Sequence, residues 1–497
     1  MRRAVLCVAL CAAFVGGLAA AADYEVREQA LGPVSDPLLG IPVFSEDGLH
    51  VAYVSVRDGK PVVCHDGKVG PAYTDIGAGS LKFSADGKHF VYAAKKVDRW
   101  CVVLDGVEGP LYDGIGEGTP LFSPDGTRLA YGAKKGDKWC IVVDGAEGPQ
   151  YEGIGRGSVM FSADSKHLAY VAKKAEGAVV VLDGKEGPVH QMILEDTLTI
   201  SPDGQHVAYV AIDNNKLLVV ADGKTAPGYD GVGEGSLRYS AAGNRLAYVV
   251  KKGDKVVVIV DGQEGQPYDG ILDQSVLFSR DGRHVAYAAL KGQKLHVVVD
   301  GVEGPPYDGI GAGSLVFSSD GKRVAYGAWK GEKVVAVIDG QESAEYDSMG
   351  EGTPVFGPQG KRVAFAAKKN GKWCFVIDGQ EGALYDKLGQ GMPVFSADGS
   401  RVAYIAWKGD KMLVVVDGEE GPTYDGVGIS SLEFSPDSKH VGYSAVRGGR
   451  WFVVVDGVEG PQYDIILKNC PTFLADGSVH YLAIRDRVLY HVTHAPK

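Results

Sequence analysis

Apolar and polar residues alternate in short runs along almost the whole chain, and each run ends in a cluster of Asp, Gly, Pro or Ser. The stretch TPLFSPDGTRLAYGAKKGDKWCIVVDG (119–145) contains three such runs, separated by SPDG and KKGD. Alternation with a period of two is typical of β-strands, and the residues between the runs are those that tight turns require. No segment long enough for a helix has a helical apolar period, so the chain is predicted to be all-β.

The runs belong to a repeat. An aromatic or apolar residue before a Ser-x-Asp-Gly-type turn recurs every 39 residues, at Phe44, Phe83, Phe122, Phe161, Ile200, Tyr239, Phe278, Phe317, Phe356, Phe395, Phe434 and Phe473. Each unit contains four short strands joined by turns, which predicts a four-stranded antiparallel sheet. Sheets repeated at this period are typical of a β-propeller.

The repeat resembles a known family. The segments FSPDGTRLAY (122–131), FSADGKHFVY (83–92) and FSPDSKHVGY (434–443) are similar to the WD40-like propeller repeat of TolB-type periplasmic proteins, and the resemblance covers essentially the whole mature chain. The sequence lacks the Gly-His and Trp-Asp dipeptides of true WD40 repeats and adds DGxEGPxYDGIG to each unit. The resemblance implies an exported propeller that binds partners through its rim loops.

The two ends of the chain supply complementary parts of one unit. Asp23 to Val43 aligns with the last two strands of a unit, and Phe473 to His494 aligns with the first two or three. A ring of sheets can therefore be closed by pairing one end of the chain with the other.

We predict two six-bladed rings, residues 23–253 and 254–497, because propellers usually have four to eight blades. The N-terminal strands would then complete the sheet that begins at Tyr239, and residues from about Lys255 would complete the sheet that begins at Phe473. The connection would be the hairpin KKGDK at 251–255. A single twelve-bladed ring is the alternative.

The N-terminus predicts export. Arg2 and Arg3 precede an apolar run and small residues up to Ala22, the pattern of a signal peptide (1–22) cleaved before Asp23. No later apolar run approaches the length that spans a bilayer, so we expect a periplasmic or extracellular protein that is not membrane-spanning. The net charge is −12, or −14 without the two arginines, which argues against nucleic acid as a partner.

Five cysteines follow the predicted cleavage point: Cys64, Cys101, Cys140, Cys374 and Cys470. An odd number without a CxxC pair indicates neither a zinc site nor a full disulfide framework. Three of them recur in one context (RWCVV, KWCIV, KWCFV), so they point alike in successive units. We expect mostly buried free thiols.

The acidic, glycine-rich loops have the composition of ion sites but the context of turns. In YDGIGEGT (112–119) the glycines lead into a strand, whereas a phosphate loop must lead into a helix. Glu117 is not repeated in most units, whereas calcium needs a fixed set of oxygens. We interpret this loop as the crossing from the outer strand of one blade to the inner strand of the next, and Asp125 of SPDG as a turn residue. No metal and no cofactor are predicted.

A column of tyrosines precedes each crossing loop, at Tyr112, Tyr151, Tyr229, Tyr268, Tyr307, Tyr346, Tyr385, Tyr424 and Tyr463. We expect these rings to pack between neighbouring blades with their hydroxyls near the sheet edge. His190 takes the place of one tyrosine and is interpreted as structural.

Tryptophans give the candidate binding site. Trp329 and Trp407 end second strands, whereas Trp373 and Trp451 begin third strands, so the two positions should face each other across one rung of the hairpin. The four belong to consecutive units and are predicted to form an arc on one rim that binds a glycan or an extended peptide. The alternative to a binding site is a structural role, in which the rings only cover the hairpins and the aliphatic parts of lysine side chains lie over them.

Basic residues flank these tryptophans, namely Lys330, Lys333, Lys372, Lys408, Lys411 and Arg450. The acids of the crossing loops lie on the same rim and nearly balance the lysines of the hairpins. We therefore predict local ion pairs rather than a basic surface, which again argues against nucleic acid.

Signatures of enzymes are missing from the sequence: it has no GxSxG, HExxH or Walker loop, and no histidine cluster. The leading hypothesis is a non-catalytic exported scaffold whose rim loops bind a protein, a peptide or an envelope polymer. One alternative is a glycan-acting lyase or hydrolase with a site near the ring axis. The other is a structural or adhesive repeat protein.

Overall fold

The computed structural model describes residues 24–34, 38–389, 393–467 and 471–497, so the predicted signal peptide and Cys470 lie outside the described residues. The described residues form twelve antiparallel β-sheets, numbered here as blades 1 to 12 in chain order, and one 3-10 helix at Glu195–Thr197. Consecutive sheets pack in a ring, which confirms the predicted β-propeller. Within these ranges no helix is long and apolar enough to cross a membrane.

Each blade has an inner, a second, a third and a fourth strand, paired in that order. The second strands are Val51–Arg57, Phe90–Lys96, Leu129–Lys135, Leu168–Lys174, Val207–Asp213, Leu246–Lys252, Val285–Lys291, Val324–Lys330, Val363–Lys369, Val402–Lys408, Val441–Arg447 and Val479–Arg485. The third strands are Lys60–His65, Arg99–Leu104, Lys138–Val143, Gly177–Leu182, Lys216–Ala221, Lys255–Val260, Lys294–Val299, Lys333–Ile338, Lys372–Ile377, Lys411–Val416, Arg450–Val455 and Val488–Pro496. The fourth strands are Lys68–Ala72, Val107–Glu108, Ala146–Glu147, Lys185–Glu186, Lys224–Thr225, Gln263–Tyr268, Val302–Glu303, Gln341–Glu342, Gln380–Glu381, Glu419–Tyr424, Val458–Glu459 and, in blade 12, Tyr24–Pro33.

The inner strand is continuous in blade 1, Leu38–Phe44, and is split into two pieces in the other blades. The first pieces are Asp75–Ile76, Gly114–Ile115, Gly153–Ile154, Met192–Ile193, Gly231–Val232, Gly270–Ile271, Gly309–Ile310, Ser348–Met349, Lys387–Leu388, Gly426–Val427 and Ile465–Ile466. The second pieces are Lys82–Phe83, Leu121–Phe122, Met160–Phe161, Thr199–Ile200, Arg238–Tyr239, Leu277–Phe278, Val316–Phe317, Val355–Phe356, Val394–Phe395, Glu433–Phe434 and Thr472–Phe473.

This split corrects the interpretation of the DGIGEG loop. Gly114–Ile115 already pairs with the second strand of blade 3, so the crossing between blades is short and residues 116–120 interrupt the inner strand. The hydroxyl of Thr119 donates to the carbonyl of Gly116 and accepts the amide of Gly132. The side chain thus supplies the ladder bond that the interrupted backbone cannot make, which explains the Ser or Thr of this loop.

The turns follow from the predicted Asp and Gly positions. Asp125 accepts the amide of Thr127 at 3.0 Å and the hydroxyl of Ser123 at 2.6 Å. These hydrogen bonds, with that of Ser123 the largest cause, lower the pKa of Asp125 to about 2. Asp144 and Gly145, with φ of 50° and 82°, form the two-residue hairpin between the third and fourth strands, which requires positive φ at both positions. The turn role predicted for Asp125 is confirmed.

The hydrophobic core lies between blades rather than inside them. One cluster joins Val91 and Val102 of blade 2 to Tyr131 and Val142 of blade 3. Tyr112 lies in the same cluster, fully buried, and its ring meets that of Tyr131 edge-on at a centroid distance of 6.1 Å. Clusters of this kind connect each blade to the next, so every blade is stabilised by its two neighbours. Cys64, Cys101, Cys140 and Cys374 are buried, and Cys101, Cys140 and Cys374 are free thiols, as expected.

The preferred arrangement of two six-bladed rings is wrong, and the alternative of one twelve-bladed ring is correct. The sheet that contains Tyr239 is completed by Lys255–Val260 and Gln263–Tyr268, which follow it in the chain. The last blade is completed by Val488–Pro496 and by Tyr24–Pro33 from the N-terminus. The boundary placed between residues 253 and 254 therefore falls inside the second hairpin of blade 6.

Packing between blades gives the same result. Val258 of blade 6 lies in one cluster with Tyr287 of blade 7, so the ring continues where the two-ring arrangement would divide it. Tyr53 of blade 1 lies in one cluster with Leu482 of blade 12, which closes the circle. Because near-identical interfaces repeat at every step, the local pattern of the sequence carries little information about the size of the ring.

Two rims result from this topology. The lysine rim is formed by the hairpins between second and third strands, such as 135–138, together with the crossings between blades, such as Asp113. The acidic rim is formed by the SxDG turns and by the DGxEG turns between third and fourth strands.

Candidate functional site

The predicted Trp rung is present on the lysine rim. Trp329 faces Val334 and Trp407 faces Met412 across the hairpins of blades 8 and 10. Trp373 faces Lys368 in blade 9, and Trp451 faces Val446 in blade 11. The four tryptophans thus lie on the same rung of the hairpin in four consecutive blades, two of them on the second strand and two on the third.

Their rings pack into separate clefts. Trp373 packs against the cluster that joins blades 9 and 10, and Trp407 packs against the cluster that joins blades 10 and 11. The ring of Trp329 covers the inner strand of its own blade at Gly309 and Gly311, and this residue is 41% exposed. The lysine expected beside the rings is seen at Lys368, whose Nζ lies 5.8 Å from the centroid of Trp373.

The predicted basic residues are paired with acids. Lys330 contacts Glu342 at 2.8 Å, Lys333 contacts Asp347 at 2.6 Å, and Lys372 contacts Asp386 at 3.2 Å. The remaining pairs are Lys408 with Glu420, Lys411 with Asp425 and Arg450 with Asp464. All six are exposed pairs, each of which contributes little to stability, about 0–1 kcal/mol. They neutralise the rim locally, as the balance of charges in the sequence indicates.

A hydrogen-bond network that is not evident from the sequence explains the glutamate of the DGxEG turns. In blade 8, Glu342 accepts the hydroxyl of Tyr307 from blade 7 at 3.1 Å and the ammonium of Lys330 from its own blade at 2.8 Å. The hydrogen bond from Lys330 is the largest cause that lowers the pKa of Glu342, while burial raises the pKa of Tyr307. The same Tyr, Glu and Lys positions recur along the chain, so this is a clamp between blades.

Blades 4 and 5 depart from this clamp. His190 replaces the tyrosine, Asp213 replaces the lysine and Thr225 replaces the glutamate. His190 is buried, with Nδ1 2.6 Å from Asp213 Oδ2 and Nε2 3.3 Å from the hydroxyl of Tyr209. The sequence could have revealed the contact between His190 and Asp213, because all three residues of the clamp are replaced together at this one interface.

The same two blades carry a groove on the lysine rim. It has a volume of about 570 Å³ and is lined by Ile154, Lys173, Ala178, Met192 and Glu195, among others. Ala178 occupies the position that holds Trp100, Trp139, Trp373 and Trp451 in other blades, and Met192 stands where most blades have Gly. Met192 is 54% exposed. The groove therefore exists where the small Ala178 stands at a position that holds tryptophan in four other blades, and it presents an apolar side chain to solvent.

A second, smaller groove adjoins the first. It has a volume of about 340 Å³, lies between blades 3 and 4, and is lined by Trp139, Ile154 and Arg156. Arg156 contacts Glu117 at 3.2 Å, and its amide donates to Glu195 at 2.9 Å. The inner-strand loops of three consecutive blades are thereby linked beneath one continuous surface that combines apolar, basic and acidic side chains.

Comparisons with known proteins give no functional assignment. No protein-family model matches the chain, and no curated protein matches it. Solved structures with similar folds include the crystal structure of the eukaryotic initiation factor, with 14% identity, 68% of this chain and 96% of that chain covered, and a TM-score of 0.35. They also include the β-propeller domain of the Trilobed protease from Pyrococcus furiosus, with 16% identity, 54% and 95% covered, and a TM-score of 0.27. TolB from Acinetobacter baumannii has 15% identity, 61% and 79% covered, and a TM-score of 0.23. Because these TM-scores are below 0.5, the likenesses carry no argument about function.

Proposed function

We propose that the protein is an exported, non-catalytic scaffold that binds a protein or peptide through the lysine rim, with an envelope polymer as the other ligand to be tested. The observation that carries this proposal is the groove between blades 4 and 5. It interrupts a rim that is otherwise filled at equivalent positions by larger side chains, and its lining combines Met192 with Lys173 and Glu195. An apolar surface beside charges of both signs suits an extended polypeptide.

The repetition of the polar clusters supports a scaffold rather than an enzyme. In the described residues, the Tyr–Glu–Lys clamp occurs in many blades with the same partners, for example Tyr112 with Glu147 and Lys135. A cluster repeated around a ring contributes to the stability of every interface, whereas one active site needs a distinct set of residues. The tryptophans at 329, 373, 407 and 451 are proposed as further contacts along the same rim.

The test uses a substitution that the repeat itself provides. Ala178→Trp places in blade 4 the residue that blades 2, 3, 9 and 11 have at this position, so we expect it to fill the groove and leave the fold intact. Binding of arrayed peptides and of soluble envelope polysaccharides is measured for the mature protein, for this variant and for Val107→Glu on the acidic rim. Loss of peptide binding in Ala178→Trp, with binding retained in Val107→Glu, is the expected result.

The tryptophans are tested separately. Trp373, Trp407 and Trp451 are changed to Ala together, because the three residues belong to three consecutive blades and one substitution would leave two contacts. We expect weaker capture and an unchanged circular dichroism spectrum. Unchanged capture would remove these residues from the site. If the protein binds polysaccharide and Ala178→Trp does not change that binding, the ligand is an envelope polymer rather than a protein or peptide.

Export is tested by fractionation of the cell that produces the protein. We expect the mature chain outside the cytoplasm with Asp23 as its first residue, since the predicted signal peptide ends at Ala22. An intact Met1 on a cytoplasmic protein would contradict this part of the proposal.

A further inference from the structure

Blade 1 contains a pair of histidines that shares one aspartate. In most blades a His or Arg after the SxDG turn contacts the Asp of the next hairpin, as His89 contacts Asp105 at 2.7 Å and Arg128 contacts Asp144 at 3.0 Å. Blade 1 has the same contact between His50 Nδ1 and Asp66 Oδ2, at 2.7 Å. It differs because the residue before the aspartate is also a histidine.

That histidine, His65, stands in a column of aliphatic and small residues. The equivalent positions hold Leu104, Val143, Leu182, Ala221, Val260, Val299, Ile338, Ile377, Val416, Val455 and Thr493. The packing at this position requires no imidazole, since eleven blades do without a histidine there. Packing therefore does not explain why His65 is a histidine.

The geometry brings three ligand groups together. His65 Nε2 lies 3.4 Å from Asp66 Oδ2, and one ligand atom from each of His50, His65 and Asp66 lies within 4.8 Å of the other two. The Nε2 atom is buried and, among the described residues, has no hydrogen-bond partner. The ring is held by Phe83 and Phe90, with centroids at 5.4 Å and 4.9 Å. The side chains of His50 and His65 are 39% and 40% exposed, so the group lies near the surface of the blade.

We propose that His50, His65 and Asp66 bind one divalent transition-metal ion of the Zn²⁺ class. Two imidazoles and a carboxylate suit Zn²⁺, and metal–ligand bonds of about 2.1 Å in tetrahedral geometry separate ligand atoms by roughly 3.4 Å. The separation of His65 and Asp66 already has this value. The contact between His50 and Asp66 must lengthen as His50 Nδ1 exchanges its hydrogen bond for the metal. Three protein ligands leave the fourth position of the ion to water.

The sequence alone shows no histidine cluster, and no metal is predicted from it. His50 and His65 are fifteen residues apart, with no spacing typical of a metal motif. The hairpin formed by the second and third strands of blade 1 brings their rings to one place, beside the inner strand of blade 2. Binding there would stabilise the folded chain, because the unfolded chain does not hold the ligands together.

The repeat also supplies the variants for the test. His65→Leu introduces the residue found in blades 2 and 4, and His50→Arg introduces the residue that makes the same contact with Asp in blades 3, 6 and 8 to 10. His89→Arg in blade 2 is the matched control, since it changes an equivalent His–Asp contact that lacks the second histidine. All are made in the untagged mature protein.

Zn²⁺ binding is measured by calorimetry after removal of metal with a chelator, and Co²⁺ spectra report the coordination. We expect one ion per chain, a higher melting temperature with Zn²⁺, and a tetrahedral Co²⁺ spectrum. His65→Leu and His50→Arg should each weaken binding by about 10- to 100-fold or more, a loss at least as large as that for a second-shell partner. His89→Arg should bind as the unchanged protein does.

Three results would overturn the proposal. They are no binding by the unchanged protein at micromolar Zn²⁺, equal binding by His65→Leu and His50→Arg, and an equal loss in His89→Arg. Circular dichroism checks that each variant is folded. If one variant does not fold, the other decides the question.

Discussion

Glu28, near the start of the described chain, forms a two-fold hydrogen-bonded ion pair with Arg485 of the last blade. Nη1 lies 3.0 Å from Oε1, and Nη2 lies 2.7 Å from Oε2. The hydroxyl of Tyr463 donates to the same carboxylate. Glu28 thus makes in blade 12 the contacts that Glu147 makes in blade 3, with a tyrosine of the preceding blade and a basic residue of its own blade. The clamp between consecutive blades is thus also the contact that closes the ring.

We expect Glu28→Ala to loosen the closure, because Arg485 and Tyr463 lose their acceptor in a partly buried place. The expected loss is about 1–3 kcal/mol in the free energy of unfolding. Hydrogen exchange should show lower protection of the strand Tyr24–Pro33.

The matched control is Glu147→Ala, which removes the same acceptor from a strand that directly follows the third strand of its own blade. It should lower the melting temperature without exposing one end of the chain. If hydrogen exchange in Tyr24–Pro33 is the same in Glu28→Ala and in the unchanged protein, Glu28 does not help to close the ring.

Acid should destabilise the last blade through His494. Burial lowers the pKa of His494 to about 4, and the hydroxyl of Tyr481 lies 3.0 Å from its Nε2. The unfolded chain, with a pKa near 6.5, binds more protons than the folded chain between these two values. Stability from this group is therefore fully present above pH 6.5 and falls as the pH decreases toward 4, by about 3 kcal/mol.

Denaturant unfolding at several pH values measures this effect. His494→Gln does not titrate, so its stability should fall less between pH 7 and pH 4.5 than that of the unchanged protein. The same slope in both proteins would show that His494 is not the group responsible.

His190, Asp213 and Thr225 can be replaced by the Tyr, Lys and Glu that other blades have at these positions. His190→Tyr alone should destabilise the protein, because the new hydroxyl meets Thr225 instead of a glutamate and Asp213 loses its partner at 2.6 Å. The triple change His190→Tyr, Asp213→Lys, Thr225→Glu rebuilds the clamp and should recover most of the loss, about 1–3 kcal/mol. The melting temperatures of the two variants are compared. A triple variant that is no more stable than the single variant would contradict the idea that these three positions correspond to the Tyr, Lys and Glu of the clamp.

The sequence predicted the blades well because each strand and turn depends on neighbours within one unit. The turn at Asp125, the buried Cys140 and the Trp373 rung all follow from alternation and register. Ring size could not be predicted in this way, since closure depends on the pairing of Tyr24–Pro33 with Val488–Pro496 across the whole chain. Both ring arrangements use the same local patterns.

The candidate site was only partly predictable. The tryptophans stand out by residue type, whereas the groove is defined by a residue that is small, Ala178, and by one that is unexpectedly large, Met192. Only an alignment of the units shows these departures. Likewise, His65 is visible as an exception in its column, but its closeness to His50 depends on the hairpin register.

The most direct test of the scaffold function is photo-crosslinking from the lysine rim in the producing cell. A photoreactive residue at position 192 reports contacts of the groove, and the same residue at position 107 reports contacts of the acidic rim. We predict a covalent adduct with a protein or peptide at position 192 that is lost when Ala178 is changed to Trp, and none at position 107. No adduct at position 192, or equal adducts at both positions, would contradict the assignment of the lysine rim as the binding surface.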